Sequence, residues 1–389
     1  MSIYYGDDAS PSRSRPLVTA AITMTRGANA PADPATTELS ISNQHQRQTR
    51  SQANAVSTRE LQLYTTLKMA PGSDSEQELY KRALEFLKAN EPEGWLDIQL
   101  SYSSFEELVE KARKLYGDNK IYPRVEYSCE DSTVTIYTAQ SALHAQATNI
   151  LQRWIDEWSR AELVNHEKQE LCRRFSPASG RTYNSLNPNF KGSTKVPDGG
   201  LVYEKEHVQT VTVVIEVGVS EAYERLRKDI ELWMREFGCR TGILFSLKEE
   251  PKFKSPSRRA LDAYSTEDVD QFQNTMREVR HSQPFGPYLY NRHRWFGKLQ
   301  EAFIEVFKRT QNTSRIRRQR YSVVENGQLV LPGNVNLSIT IADIFPFGEE
   351  DIEGIQSVPV YLQIDTLQKF LGDGAQWTAE ERFKNKVRR

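Results

Sequence analysis

Three cysteines, Cys129, Cys172 and Cys239, are all the sequence offers, far apart and in no metal-binding spacing. That scarcity points to a reducing, intracellular setting, whether cytoplasmic or nuclear. No apolar run approaches the ~18 residues that cross a bilayer, so no membrane partner is expected. The opening "MSIYYGDDASPSRSR" lacks the apolar core of a secretory leader. Net charge is missing too: 51 Lys and Arg face 52 Asp and Glu, so no global field draws in nucleic acid or membrane. The six histidines form no HExxH pair. There is no Gly-rich phosphate loop ("GDGAQW" reads as an ordinary loop), no nucleophile elbow and no internal repeat. What remains, 38% hydrophobic and 26% charged over 389 residues, describes a globular protein with material for one large domain or two.

The chain divides by pattern. Residues 1–56 are rich in Ser, Thr, Ala, Asn, Gln and Pro and cannot offset their ordering entropy, so this segment reads as disordered. A helical lead-in over 57–120 follows. Ser75 with Glu78 forms a capping box ahead of "LYKRALEFLKAN", and Ser104 with Glu107 forms a second ahead of "FEELVEKARKLY", which Gly117 ends. Two strands, "YPRVEYS" and "STVTIYT", meet in a hairpin at Glu130-Asp131. Leu143, Ala147, Ile150, Leu151, Trp154, Ile155 and Trp158 then line one face of a helix. The order strand "TVVIEVGV", helix from an N-cap at Ser220 to Gly238, and strand "TGILFSL" makes a βαβ unit buried on both faces. Beyond it we expect helices near 266–281 and over "WFGKLQEAFIEVFKRT", then strands around "RYSVVENGQLVLP", "VNLSITIADIF" and "VPVYLQID", with a turn at Asn326-Gly327. From Lys248 to Arg320 there are 16 Lys/Arg and 9 Asp/Glu, a local excess of seven positive charges.

A glutamate inside an apolar strand asks for a reason, since a lone buried charge is costly. In "VTVVIEVGV" alternation puts Val211, Val213, Ile215 and Val217 on one face, and Thr212, Val214, Glu216 and Gly218 on the other. Asp198 and Glu216 flank His207, the tip of a hairpin, so folding it brings the two acids together at its open end. Adjacent carboxylates repel unless a cation intervenes, and a hard divalent ion such as magnesium or manganese suits oxygen ligands. Such an ion could polarise a phosphodiester and activate water.

Here "PDGGLVYEKEHVQTVTVVIEVG" resembles the PD-(D/E)XK nuclease pattern, in which a Pro-Asp opens one strand and an acid-X-lysine lies on the next. The wider order "PRVEYSCEDSTVTIYTAQSALHAQ", "KVPD", "VVIEVGVSE", "LRKDIELWM" and "GILFSL" is similar to a mostly fungal family of PD-(D/E)XK-like proteins. The likeness runs from Arg124 to Leu247 and more weakly through "AFIEVFKR", "NGQLVLP" and "LSITIADIFP". It implies an α/β fold with a restriction-endonuclease-like core, a mixed sheet flanked by helices, over 121–250. A helical and β C-terminal extension of the same domain then covers 251–380. It further implies Asp198 and Glu216 as catalytic metal ligands, with the Val217 carbonyl as a third. The expected lysine is absent, because Gly218 stands in its place; Lys195 or Lys228 would supply the positive group.

Plainer roles stand beside these. Glu216 also reads as a strand-end carboxylate at a sheet edge, solvated or paired with Lys195 or Arg227, Asp198 as a turn residue, and His144 as a packing or hydrogen-bonding histidine. Glu126 is a further acid within range, and "RIRRQR" (315–320) is either a phosphate grip or a solvated helix end. The expectation is a magnesium-dependent nuclease acting on nucleic acid, or a degenerate relative. The alternatives are a catalytically inactive nuclease-fold domain for protein or nucleic-acid binding, and an interaction protein docking through its C-terminal strands.

Overall fold

The structure, a computed structural model, describes residues 75–89, 94–117, 123–185, 187–310, 315–331 and 334–387. The segment read as disordered, 1–56, lies outside them. Helix α1 (Glu76–Ala89) opens with the expected box: Ser75 and Glu78 exchange hydrogen bonds at 3.2 and 3.4 Å. Strand β1 (Trp95–Gln99) follows, so the lead-in is not all helical; "WLDIQ" pairs with a later strand. In α2 (Tyr102–Tyr116) the cap is Ser101, whose Oγ accepts from the Ser104 amide at 3.3 Å, one turn before the expected Ser104. Gly117 does end the helix.

Strands β2 (Arg124–Ser128) and β3 (Thr133–Tyr137) form the expected hairpin. After α3 (Ala142–Asn165) come β4 (Phe175–Pro177), β5 (Tyr183–Asn184) and β6 (Thr194–Lys195). The order β1-β3-β2-β6-β5 makes one sheet, packed on α1 and α2 through Leu79, Leu87, Phe105, Leu108, Tyr127 and Ile136.

A second sheet carries the hairpin of interest. Strand β7 (Gly199–Lys205) turns through Glu206 and His207, both at positive φ, into β8 (Val208–Val219). Helix α4 (Tyr223–Glu236) leads to β9 (Thr241–Glu250), parallel to β8, as the βαβ reading required. Ser220 is not the cap of α4. It stays with the sheet, its Oγ accepting from the Glu249 amide at 3.1 Å, and the helix begins after Ala222.

Short helix α5 (Arg258–Leu261) and α6 (Asp268–Ser282) precede hairpin β10 (Tyr288–Tyr290)–β11 (His293–Phe296). Residues 298–309, expected to be helical, form strand β12 (Lys298–Arg309), paired along its length with β9 and with β13 (Ile316–Glu325). Their apolar residues fit either period, and neighbours on both sides, together with Phe303, Ile304, Val306 and Phe307, decide for strand. Strands β14 (Gln328–Leu329), β15 (Asn334–Thr340) and β16 (Pro359–Gln363) follow. The sheet runs β14-β13-β12-β9-β8-β7-β4, with β8–β9 as its parallel pair.

Helix α7 (Ile364–Val387) absorbs the "GDGAQW" segment read as a loop. Leu367, Leu371, Ala375, Ala379 and Phe383 make its buried stripe. Gly374 belongs to the packing: a Cβ there would meet the Leu143 Cα at 2.8 Å, so its absence lets α7 lie close on α3. The extension is therefore strand-rich but closed by a long helix. Overall the fold is mixed α/β, with α3 and α4 on opposite faces of the larger sheet.

Candidate functional site

The site depends on a bulge. Near the turn, Lys205 pairs with Val208 and Val202 with Val211, yet Leu201 pairs with Val213, so one residue of β8 is extra. From there the register shifts by one and Gly199 faces Ile215. Asp198 is thereby carried toward Glu216 instead of an aliphatic neighbour. The bulge also breaks the expected alternation. Val213, Ile215 and Val217 pack on the α3 side, while Val211 joins Val214 on the α4 side.

Asp198 and Glu216 line one recess of about 70 Å³, 9% and 4% exposed. Asp198 is engaged on all sides. Its Oδ1 accepts from Arg124 Nη1 at 3.0 Å and Gln140 Nε2 at 2.8 Å; its Oδ2 accepts from the Val217 amide at 2.9 Å and lies 3.1 Å from His144 Nε2. A carboxylate offers about four lone-pair directions, and all are taken. Burial alone would raise its pKa, but His144, Arg124 and the Val217 amide outweigh that and hold it well below the usual range. Ser141 makes this local: its Oγ caps α3 at the His144 amide, setting Gln140 and His144 one turn apart over the same acid.

Glu216 is treated differently. Its Oε1 accepts from Trp233 Nε1 of α4 at 2.6 Å, and no cation lies within ion-pair distance among the described residues. Burial, then repulsion from Asp198, pushes its pKa well above the ordinary value. Glu221, at the same recess, is pushed up to about 7 chiefly by burial, against the pull of Arg225.

The two candidate lysines part company. Lys195, 6% exposed on β6, sits 2.6 Å from Asp229 Oδ1 and 3.3 Å from Glu126 Oε2, close enough to Glu216 to feel its charge. Burial works against its charge, but Asp229 and Glu126 prevail and raise its pKa. Glu126 also accepts from the Val196 amide at 3.1 Å. Both lysines line a larger cleft of about 420 Å³ that shares Asp229 with the recess, but Lys228 pairs with Asp131 on its exposed side. Arg227, the other suggested partner of Glu216, pairs with Glu224 and Glu231 instead.

Position 218 is closed as well as empty. A Cβ on Gly218 would fall 2.3 Å from Leu226 Cδ1, so the helix packs where a side chain would begin. Arg124, Tyr137, Gln140 and Arg225 are members of the site that sequence reasoning did not single out. The Arg124 guanidinium lies 4.2 Å from the Tyr137 ring centre, and the Tyr137 hydroxyl donates to Asp229 Oδ2 at 3.3 Å. Arg124 and Glu126 alternate on the inward face of β2, a charged pair in place of the apolar residues such a face normally carries; that was the available signal.

A hard cation is matched by the chemistry of these acids but not by their disposition. Asp198 has no free lone pair, and no group of three or more His, Cys, Asp or Glu among the described residues is arranged to hold a metal. No protein-family model matches the chain, and no curated protein or solved structure is significantly similar to it.

Proposed function

We propose that the chain is a PD-(D/E)XK-type domain that binds nucleic acid without cleaving it, its acid pair serving as an internal charge cluster. The observation that carries this is the saturation of Asp198 by Arg124, Gln140, His144 and the Val217 amide. The sealing of position 218 by Leu226 adds to it, because the lysine of the pattern has no room on this backbone. A binding role rests on the cationic tract from Lys248 to Arg320, which supplies sequence-independent attraction to phosphates. Tests with purified protein should show salt-dependent binding of DNA or RNA, no cleavage with magnesium or manganese, and no metal uptake by calorimetry. Cleavage that Asp198→Ala and Glu216→Ala both abolish would overturn it.

One observation favours the second reading, an active magnesium-dependent nuclease. Glu216 is a buried carboxyl without a cationic partner, the state a divalent ion would convert to an ionised ligand. In that case Glu216 and Asp198 would hold the ion with the Val217 carbonyl, Asp198 giving up His144 or Gln140. Metal uptake that releases protons near neutral pH would support this reading over the first.

A further inference from the structure

We propose that the free edge of β13 is a docking strand for an extended, acidic segment of a partner protein, added to the larger sheet beyond β12. This goes beyond the nucleic-acid reading and does not rest on it, since it gives the arginines of "RIRRQR" a protein to meet. That tract is no helix end: Ile316 to Glu325 form β13. On its inner side β13 pairs with β12 from Ile316 opposite Arg309 to Val324 opposite Ala302. On its outer side β14 takes only Val324 and Glu325, and the Val330 amide reaches the Val323 carbonyl at 3.0 Å. From Ile316 to Ser322 no described strand covers the outer edge. Alternate residues of such an edge turn their N–H and C=O outward, a row that an added strand satisfies. At about 3.3 Å per residue the open stretch runs for roughly 20 Å, which seats a segment of about six residues.

Charge decides what that segment is. Arg317 and Arg318 are exposed, and strand alternation sends them to opposite faces of the sheet. Neither has an ion-pair partner among the described residues. Arg317 stands directly across from Lys308, and like charges so placed destabilise a sheet. Asp343 neutralises Lys308 at 2.8 Å, but no described acid does the same for Arg317. Arg320 shows how this strand receives a carboxylate: it pairs with Glu305 at 3.2 Å while its guanidinium lies 4.0 Å from the Phe303 ring centre. A second copy of the chain is the wrong occupant, because β13 laid against itself would set arginine beside arginine. Residues 1–74 offer no acidic strand either, with 7 Lys/Arg against 6 Asp/Glu. A partner strand with carboxylates on both faces answers Arg317, Arg318 and the backbone row together, each guanidinium fork matching a carboxylate at two points. A nucleic acid would meet the arginines and leave the backbone row unmatched.

The test uses the full chain and a fluorescently labelled peptide of repeating glutamate, valine and aspartate, which carries acids on both faces when extended. Wild type should bind it by anisotropy, and Arg317→Glu/Arg318→Glu should bind at least about tenfold more weakly. Lys111→Glu/Lys114→Glu on α2, equal in charge change and outside the cationic tract, should alter affinity less than about threefold, because distant surface charges are screened. All four positions are exposed, and melting curves check that the fold is kept. Methylating alternate amide nitrogens of the peptide keeps its charges and removes strand-forming donors, so wild type should bind that form at least about tenfold more weakly too. Equal affinity for both forms of the peptide overturns strand addition, whatever the variants do. Wild type that ignores the peptide overturns the docking edge, and binding of DNA in the same assay would leave the nucleic-acid role standing without it. A dimer in sedimentation that the arginine reversal breaks would give the edge to a second copy instead.

Discussion

The two sides of the acid recess solve the same problem in opposite ways. Around Asp198 the protein supplies a guanidinium, an imidazole, a side-chain amide and a backbone amide, and the carboxylate stays ionised. Around Glu216 it supplies one indole N–H as a hydrogen-bond donor, and burial with the charge of Asp198 pushes the carboxyl's pKa well above its ordinary value. The lesson is that two acids meeting in a fold do not by themselves define a cation site. What surrounds each decides whether a positive ion is needed, and around Asp198 protein donors have met much of that need.

The largest way to break the contrast is Arg124→Met. It leaves Asp198 and Glu126 buried without their shared cation, and loss of one partner from a buried pair costs about 3–5 kcal/mol. Denaturant unfolding should show that loss. A change below about 1 kcal/mol would mean the ion pairs are not formed in solution.

Next in size, and opposite in sign, is Glu216→Gln. A carboxyl whose folded pKa is raised binds a proton that the unfolded chain has released, so stability falls as pH climbs from about 4.5 toward the folded value. Glutamine keeps an acceptor for Trp233 and removes that titration. The variant should match wild type near pH 4 and exceed it at pH 7, with the gap opening as pH rises above about 4.5. Glu221→Gln should flatten a narrower part of the curve, from about 4.5 to about 7. Asp198 works the other way: its lowered pKa contributes stability that is present above about pH 4 and lost as pH falls further. An Asp198→Asn variant should therefore lose the acid limb of the profile, and Glu216→Gln the neutral limb.

Gly218→Ala probes the wall behind Glu216. Its Cβ would overlap Leu226, and overpacking of this kind costs about 1–3 kcal/mol. Shortening Leu226 to alanine in the same chain should recover part of it, seen as positive coupling in a double-mutant cycle.

How much of this was legible without coordinates varies along the chain. The approach of Asp198 to Glu216 was readable from the turn residues and from alternation, although the register that achieves it needs a bulge that no residue type announces. The βαβ unit was readable because β8 and α4 have unmistakable periods. Strand β12 was not, since "KLQEAFIEVFKR" fits both periods and only its neighbours β9 and β13 settle the matter. Helix α7 was hidden by Gly372 and Gly374, whose lack of a side chain serves contact with other elements and says nothing of a loop. The side-chain donors around Asp198 come from β2 and the start of α3, up to 74 residues away, a distance no local pattern spans.

The smallest effect separates the two lysines that the PD-(D/E)XK pattern made equivalent. Lys195 is buried between Asp229 and Glu126, whereas the Lys228 side chain is 53% exposed and pairs with Asp131 at the surface. A solvent-screened pair contributes at most about 1 kcal/mol, so Lys228→Ala should barely move the unfolding midpoint. Lys195→Met should cost several times more, because two acids lose their cation inside the protein. Addition of salt should narrow the Lys228 effect further and leave that of Lys195 nearly unchanged, since screening acts on exposed pairs. Equal effects for both lysines would place them in one environment and remove the distinction between the buried and the exposed side of the cleft that both line.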